Sequence, residues 1–339
     1  MITQRLTEND IEKAAAVLRR GGLLGIPTET VYGLGANGLD PEAVGHIFAA
    51  KGRPQDNPLI LHIPGADWLE RYCTDIPAAA YQLAERFWPG PMTMILKRRD
   101  NVPDAVTAGL DTVGMRCPAH GGCRAIIAAA DVPVAAPSGN TSGRPSPTTA
   151  GHMLEDMDGK IDAIVDGGAC GVGVESTIID LTCTPPRLLR PGGVTLEQLE
   201  SVLGEVAVDA AIHRQMGEGE KPRAPGMKYR HYAPRAPVTV VKGAPEAAAR
   251  YIAQHAAEGC GVICFDEYAD LFPGRVVTRL GSEADPAEQA RHVFDDLRFY
   301  DGTEVTEIWA QCPRETGVGL AVANRLNKAA GFHIIELGE

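Results

Sequence analysis

No stretch of this 339-residue chain holds 18 consecutive apolar residues, so no membrane-spanning helix is expected. The first ten residues, Met-Ile-Thr-Gln-Arg-Leu-Thr-Glu-Asn-Asp, contain no apolar signal core, and a cytoplasmic location is expected. None of the eight cysteines forms a Cys-x-x-Cys pair. Cys117 and Cys123 bracket His120, but that cluster falls short of the four ligands of a structural zinc, so reduced or buried thiols are expected. A Walker A loop is missing, since Gly159-Lys160 is followed by Ile161 rather than Ser or Thr. Gly33-Leu-Gly-Ala-Asn-Gly38 fits the dinucleotide pattern Gly-x-Gly-x-x-Gly, and Asp56 lies near its acidic position. It is set aside because the glycines do not directly follow the expected strand at 23–26 and Pro41 delays the next helix. There is no internal repeat and no low-complexity tract.

Positive charge is scarce. The net charge is −12, which argues against a protein that coats nucleic acid. Five of the 32 Lys and Arg residues (Lys221, Arg223, Lys228, Arg230 and Arg235) fall in residues 221–237, which contain no acid. The other 27 face 44 acids, a net of −17. A cationic segment in an acidic chain marks a place for an anionic ligand.

The composition, 44% hydrophobic and 22% charged, is that of an ordinary globular protein, and the length predicts two domains. Thr7 with Asp10 resembles a capping box ahead of Ile11, Ala14, Ala15 and Leu18, whose spacing predicts an amphipathic helix that Gly21-Gly22 stops. Strands are expected at 23–26, 59–63, 92–97, 112–117, 132–136, 161–165, 176–181 and 187–189. Helices are expected at 41–51, 77–87, 121–130 and 195–203. This mixture predicts an α/β domain over 1–203 with a twisted, partly mixed sheet. Residues 204–237 read as a linker, extended and proline-rich over 222–237. Strands at 238–241, 261–265 and 305–310 alternate with helices at 245–257, 285–299 and 318–330, predicting a small Rossmann-like, doubly wound domain over 238–339.

Five segments carry chemistry. Lys51-Gly-Arg53-Pro-Gln-Asp-Asn57-Pro-Leu59 is a stiff cationic hook before a strand, suited to polyphosphate because phosphoryl chemistry is mostly positioning and charge neutralisation. Pro27-Thr-Glu-Thr-Val-Tyr-Gly-Leu-Gly35 packs two hydroxyls, a carboxylate and a phenol into the turn after a strand; a hydrogen-bonded turn with Tyr32 in the core is the plainer alternative. Pro137-Ser-Gly-Asn-Thr-Ser-Gly-Arg-Pro-Ser146 is a small-residue loop able to cradle phosphate, or simply a surface loop. Val174-Glu-Ser-Thr-Ile-Ile-Asp180 sets Glu175, Ser176 and Thr177 at a strand start, and Leu189-Arg-Pro-Gly-Gly193 sets Arg190 at a strand end. Arg116 lies inside an expected strand, where a cation needs either a ligand or an internal salt bridge.

In this order the segments resemble the YrdC-type threonylcarbamoyl-AMP synthase family in its longer, two-domain form. The resemblance runs over about residues 8–203, through Ala-Pro-Gly-Met-Lys-Tyr-Arg-His-Tyr-Ala-Pro at 224–234, and into Glu-Thr-Gly-Val-Gly-Leu-Ala-Val-Ala-Asn-Arg-Leu at 315–326. It implies a nucleotidyltransferase that makes L-threonylcarbamoyladenylate from L-threonine, bicarbonate and ATP, with Mg²⁺ accompanying ATP. The product would feed tRNA threonylcarbamoyl-transfer proteins that modify the adenosine beside the anticodon. Carried over residue by residue, it implies catalytic roles for Lys51 and Arg53. Thr30, His62, Arg116, Ala136 and Ser176 would bind threonine. Arg53, Asn57, Thr112, Ser138, Ser146, Arg190 and Tyr232 would bind ATP. No metal ligand is assigned; Glu29 and Glu175 are candidates only. Residues 222–237, with Lys228, Tyr229, Arg230 and Tyr232, would fold back as a lid over labile intermediates. An RNA-binding module of the same fold is the alternative, although one basic segment in an acidic chain predicts no stable tRNA binding. A related carbamoyl-transfer maturation enzyme carries zinc-finger cysteine pairs, which are missing from this sequence.

Overall fold

The computed structural model describes residues 2–217, 222–225 and 231–338. The chain divides into two compact units. The first takes in residues 2–142 and Ser146–Ile212, together with Met216, Gly217 and 222–225. The second comprises Gly143–Pro145, His213–Gln215 and 231–338.

The strands of the first unit are β1 (Gln4–Thr7), β2 (Leu24–Ile26), β3 (Gly33–Asn37), β4 (Ile60–His62), β5 (Met92–Lys97), β6 (Thr112–Arg116), β7 (Val134–Ala135), β8 (Ala163–Asp166), β9 (Thr177–Asp180), β10 (Arg187–Arg190) and β11 (Ala207–Val208). They form one eleven-stranded sheet in the order β1-β8-β2-β3-β7-β4-β6-β5-β9-β10-β11. Parallel pairs (β4–β6, β5–β9) and antiparallel pairs (β5–β6, β9–β10) alternate through its centre, so the expected mixed sheet is present. Its helices are α1 (Ile11–Arg19), α2 (Pro41–Lys51), α3 (Leu69–Tyr72), α4 (Ala78–Phe87), α5 (Asp104–Thr107), α6 (Gly121–Ala130), α7 (Ala150–Met157) and α8 (Leu196–Leu203).

Local chemistry explains most of these boundaries. α2 starts where the Asp40 carboxylate accepts the Glu42 and Ala43 N–H groups, with Pro41 in the first turn, and it ends on Gly52 at φ 61°. Asp10 occupies the N-cap position of α1 but makes no capping bond; its side chain accepts the Thr7 N–H (3.0 Å) and hydroxyl (2.8 Å). Only half of the expected capping box forms. His120 caps α6 by accepting the Cys123 N–H on Nδ1, so the Cys117–His120–Cys123 cluster is helix-start chemistry. Burial pushes the Cys117 thiol up to about 11 and the Cys123 thiol up to about 12, so neither is a thiolate at neutral pH. Gly33–Asn37 is a strand and not a phosphate loop. A Cβ at Gly35 would lie 2.9 Å from Val134 Cγ1, and it is this crowding between β2 and β7 that demands glycine.

The second unit has a five-stranded parallel sheet, β14-β13-β15-β12-β16 in order, built from β12 (Val238–Lys242), β13 (Gly261–Cys264), β14 (Val276–Arg279), β15 (Ile308–Gln311) and β16 (Ile334–Glu336). α9 (Pro245–His255), α10 (Pro286–Phe299) and α11 (Gly317–Ala329) supply its crossovers. α9 buries Ala248, Ala249 and Ile252 against Val241 and Val262. The strand–helix alternation read from the sequence is the observed one, with β14 and β16 added. No helix among the described residues is long and apolar enough to cross a membrane.

Candidate active site

Strand register assembles the site. His62 at the end of β4 pairs directly with Arg116 at the end of β6, and Arg116 pairs with Thr93 near the start of β5. Directly paired residues share a face of the sheet, so these three polar side chains form one row across three neighbouring strands. All three are buried. The cluster continues just before β9 and at the end of β10: the Ser176 hydroxyl lies 2.8 Å from Thr93 Oγ1, and Arg190 donates Nη2 to Ser176 Oγ (3.1 Å) and Nε to Ser176 O (3.0 Å). The turn that carries Arg190 approaches this backbone so closely that a Cβ on Gly192 would lie 2.3 Å from Thr177 N.

Arg116 bonds one residue expected in the threonine pocket and one carboxylate that was not. Its Nη2 donates to Thr30 Oγ1 (2.9 Å) and to Glu29 Oε1 (2.8 Å), the internal ion pair that was the alternative reading of this cation. Its Nε is buried and has no acceptor. His62 Nδ1 and both polar atoms of the Asn57 side chain are likewise buried without partners. Unmade hydrogen bonds of this kind are costly.

Burial, and next the charge of Arg116, pull the His62 imidazole down to about 3. It is therefore neutral in the folded protein at every working pH. Below its ordinary value of 6.5 the unfolded chain takes a proton that the folded chain refuses, so stability falls as pH drops from 6.5 towards 3. That contribution is about 1.4 kcal/mol per pH unit. His62→Gln should remove it, and urea midpoints at pH 7, 6 and 5 should then fall less steeply than in the parent. Parallel curves would show that His62 is not held neutral by the fold.

The stiff cationic hook expected at 51–59 places its two cations differently. Lys51, in the last turn of α2, is 3% exposed. Its ammonium donates to Ser138 O and Asn140 O, both at 2.5 Å, which ties the small-residue loop to the helix. A cation at a helix C-terminus is also favoured by the dipole. Arg53 is partly exposed; it closes the hook by donating to Asn57 O (3.1 Å) and lies over the Phe48 ring. The loop is stitched further by Leu34 N–H to Pro137 O, Gly139 N–H to Tyr32 O and Tyr32 N–H to Pro147 O. Tyr32 itself is fully buried, with its hydroxyl on Gly168 O, so it is part of the architecture. Ser146 donates to Glu175 Oε1 at 2.5 Å. Ala136 is buried beside β4, its N–H on Ile60 O.

The expected residues therefore separate along the strands. His62 and Arg116 sit at the carboxyl ends of β4 and β6. Asn57 precedes β4 and Thr112 opens β6, about 13 Å from Arg116 at 3.3 Å per residue. Two of the residues expected for threonine and two of those expected for ATP thus lie at opposite ends of the same two strands. Tyr232 falls in the second unit, buried against Phe294 with Arg325 over its ring.

Thr93 and Glu29 were not assigned from sequence. Thr93 is a lone hydroxyl in a buried apolar strand, and that was its only signal. The linker reading also changes. Ala224 is fully buried in a cluster with Ile60, Ile95, Ile178, Leu189 and Ala211. Ile60 and Ile178 share the face of the polar row, two residues from His62 and directly opposite Thr93. Pro225 O accepts from Arg190 Nη1 (3.4 Å), and Arg223 pairs with the buried Asp180 at 2.9 Å. Residues 222–225 are therefore packed onto the site face. Lys221, Gly226, Lys228, Tyr229 and Arg230 lie outside the described residues.

A family model described as "Telomere recombination", for Sua5, YciO and YrdC proteins, matches residues 16–192. The chain belongs to this family. A second model, "Threonylcarbamoyl-AMP synthase, C-terminal domain", matches residues 194–331. A threonylcarbamoyl-AMP synthase of Pyrococcus abyssi is 49% identical over 99% of this chain and 98% of its own. One from Bacillus subtilis is 46% identical over 98% and 97%. The crystal structure of P. abyssi Sua5 complexed with L-threonine superposes with a TM-score of 0.90 at 46% identity, covering all of both chains. The two-unit architecture is thus that of the longer members of the family.

Proposed function

We propose that this chain synthesises L-threonylcarbamoyladenylate from L-threonine, bicarbonate and ATP and releases pyrophosphate. The observation that carries this reading is the buried row His62–Arg116–Thr93, with unpaired Arg116 Nε and His62 Nδ1, in a chain similar along its whole length to threonylcarbamoyl-AMP synthases. A guanidinium with an unused donor is the group for a carboxylate, and its planar fork fixes the orientation. Thr30, His62, Ala136 and Ser176 complete the amino-acid pocket. Threonine gives up its ammonium proton to solvent, the free amine adds to the bicarbonate carbon, and loss of water leaves a carbamate. A carbamate oxygen then attacks the α-phosphorus of ATP in line, and pyrophosphate leaves. These residues supply alignment and charge stabilisation.

Arg53, Asn57, Thr112, Ser138, Ser146 and Arg190 are assigned to ATP. Asn57 has the strongest support, because its amide is wholly buried and wholly unpaired. Lys51 acts through the loop that it anchors, holding Ser138 in place. Mg²⁺ would enter with ATP and would supply charge neutralisation at the phosphates. No group of three or more potential metal ligands occurs among the described residues, so no step is assigned to a protein-held metal.

Pyrophosphate release should require all three reactants. Assays that omit ATP, threonine or bicarbonate in turn test this, and undiminished release without threonine would overturn the assignment.

A further inference from the structure

Glu29 is the residue that the reaction above leaves without work. Its side chain is 13% exposed and that of Arg116 is 5% exposed. Oε1 accepts from Arg116 Nη2 and Oε2 accepts from the Ala119 N–H at 2.9 Å. Each carboxylate oxygen therefore has one donor and retains capacity for another. On the other side of the pair, Arg116 Nη2 has both protons committed, to Glu29 and Thr30, while Nε has no acceptor. A buried ion pair is a poor device for stability alone, since apolar side chains of similar volume would hold the turn at least as well. Both partners of this one keep unused hydrogen-bonding capacity, of opposite kinds.

Charge decides what fits. Arg116 and Glu29 cancel. A lone carboxylate bound at Arg116 would leave an uncompensated negative charge in a buried place beside Glu29, which is expensive. A zwitterion would not. Its carboxylate meets the unused guanidinium donor and its ammonium meets the unused carboxylate lone pairs.

We infer that Glu29 receives the α-ammonium group of the amino-acid substrate, so that the Arg116–Glu29 pair is a zwitterion receptor that selects amino acids over hydroxy acids. This rests on the reading that Arg116 receives the substrate carboxylate. It assigns Glu29 a specificity role in the site.

The test is calorimetric binding to the full chain of two ligands: L-threonine, and 2,3-dihydroxybutanoate, in which a hydroxyl replaces the amine. The parent should prefer threonine by about tenfold or more, the usual value of a charge-assisted hydrogen bond. Glu29→Gln keeps an acceptor for Arg116 but loses the charge. It should weaken threonine by about tenfold and change the hydroxy acid less than about twofold. Equal affinity of the parent for both ligands overturns the inference, and this measurement needs no variant to fold. Equal weakening of both ligands in Glu29→Gln also overturns it, because Glu29 would then only orient Arg116. Arg116→Lys separates the two levels. If that variant binds both ligands as the parent does, the carboxylate reading itself fails. If it weakens both while Glu29→Gln spares threonine, only the role of Glu29 falls.

Discussion

Arg116→Lys should reduce threonine-dependent pyrophosphate release by about 100-fold or more, with most of the loss in the apparent affinity for threonine. Lysine keeps the charge but offers a point donor in place of a planar fork, and its ammonium cannot reproduce the simultaneous bonds to Glu29 and Thr30 at 2.8 and 2.9 Å. Truncating or misaligning one member of a buried hydrogen-bonded charge pair costs roughly 2–5 kcal/mol, which sets the size of the effect. The KM for ATP should change far less, because Asn57 and Thr112 lie at the other end of β4 and β6. Steady-state kinetics with each substrate varied in turn check this. An unchanged KM for threonine would remove Arg116 from the amino-acid pocket.

Lys51→Ala should lower both stability and activity, whereas Arg53→Ala should lower activity alone. The two cations look equivalent in the sequence, one on each side of Gly52. In the structure the Lys51 ammonium satisfies two main-chain carbonyls, Ser138 O and Asn140 O, from a buried position. Its removal takes a buried charged donor away from both, at about 1–3 kcal/mol each. A melting temperature roughly 5–15 °C below the parent is expected for a unit of this size. Arg53 is partly exposed and its main-chain bonds are longer, so its loss should cost under about 1 kcal/mol. Differential scanning calorimetry beside pyrophosphate release separates the two. Equal melting temperatures for the variants would show that Lys51 does not anchor the loop.

The centre of the sheet was legible because its strands are short apolar runs, as in Met92–Lys97, and α2 was legible because Asp40, Pro41 and Gly52 bound it. β3 was not. Its glycines argue against a strand, and only the neighbouring chain shows why they are needed. β1 is an edge strand with a single buried residue, Leu6, too weak a pattern to read. α7 was hidden by its own start signal, since Thr149, which caps it by accepting the His152 N–H, lies just past what reads as a polar loop. In the site, cations and hydroxyls next to prolines and glycines stood out. Their partners did not, because Glu29 and Arg116 are 87 positions apart and no local pattern records who pairs with whom.

The burial of Ala224 has a consequence for the order of synthesis. The apolar patch beside the polar row is made by Ile60, Ile95, Ile178 and Leu189, and Ala211 and Ala224 cover it. A nascent chain that has just released α8 from the ribosome therefore holds every strand from β1 to β10 but still displays that patch to water. The catalytic face closes only when some twenty further residues have emerged, at the threshold of the second unit. During that interval the growing polypeptide is a client for whatever shields exposed hydrocarbon on translating ribosomes.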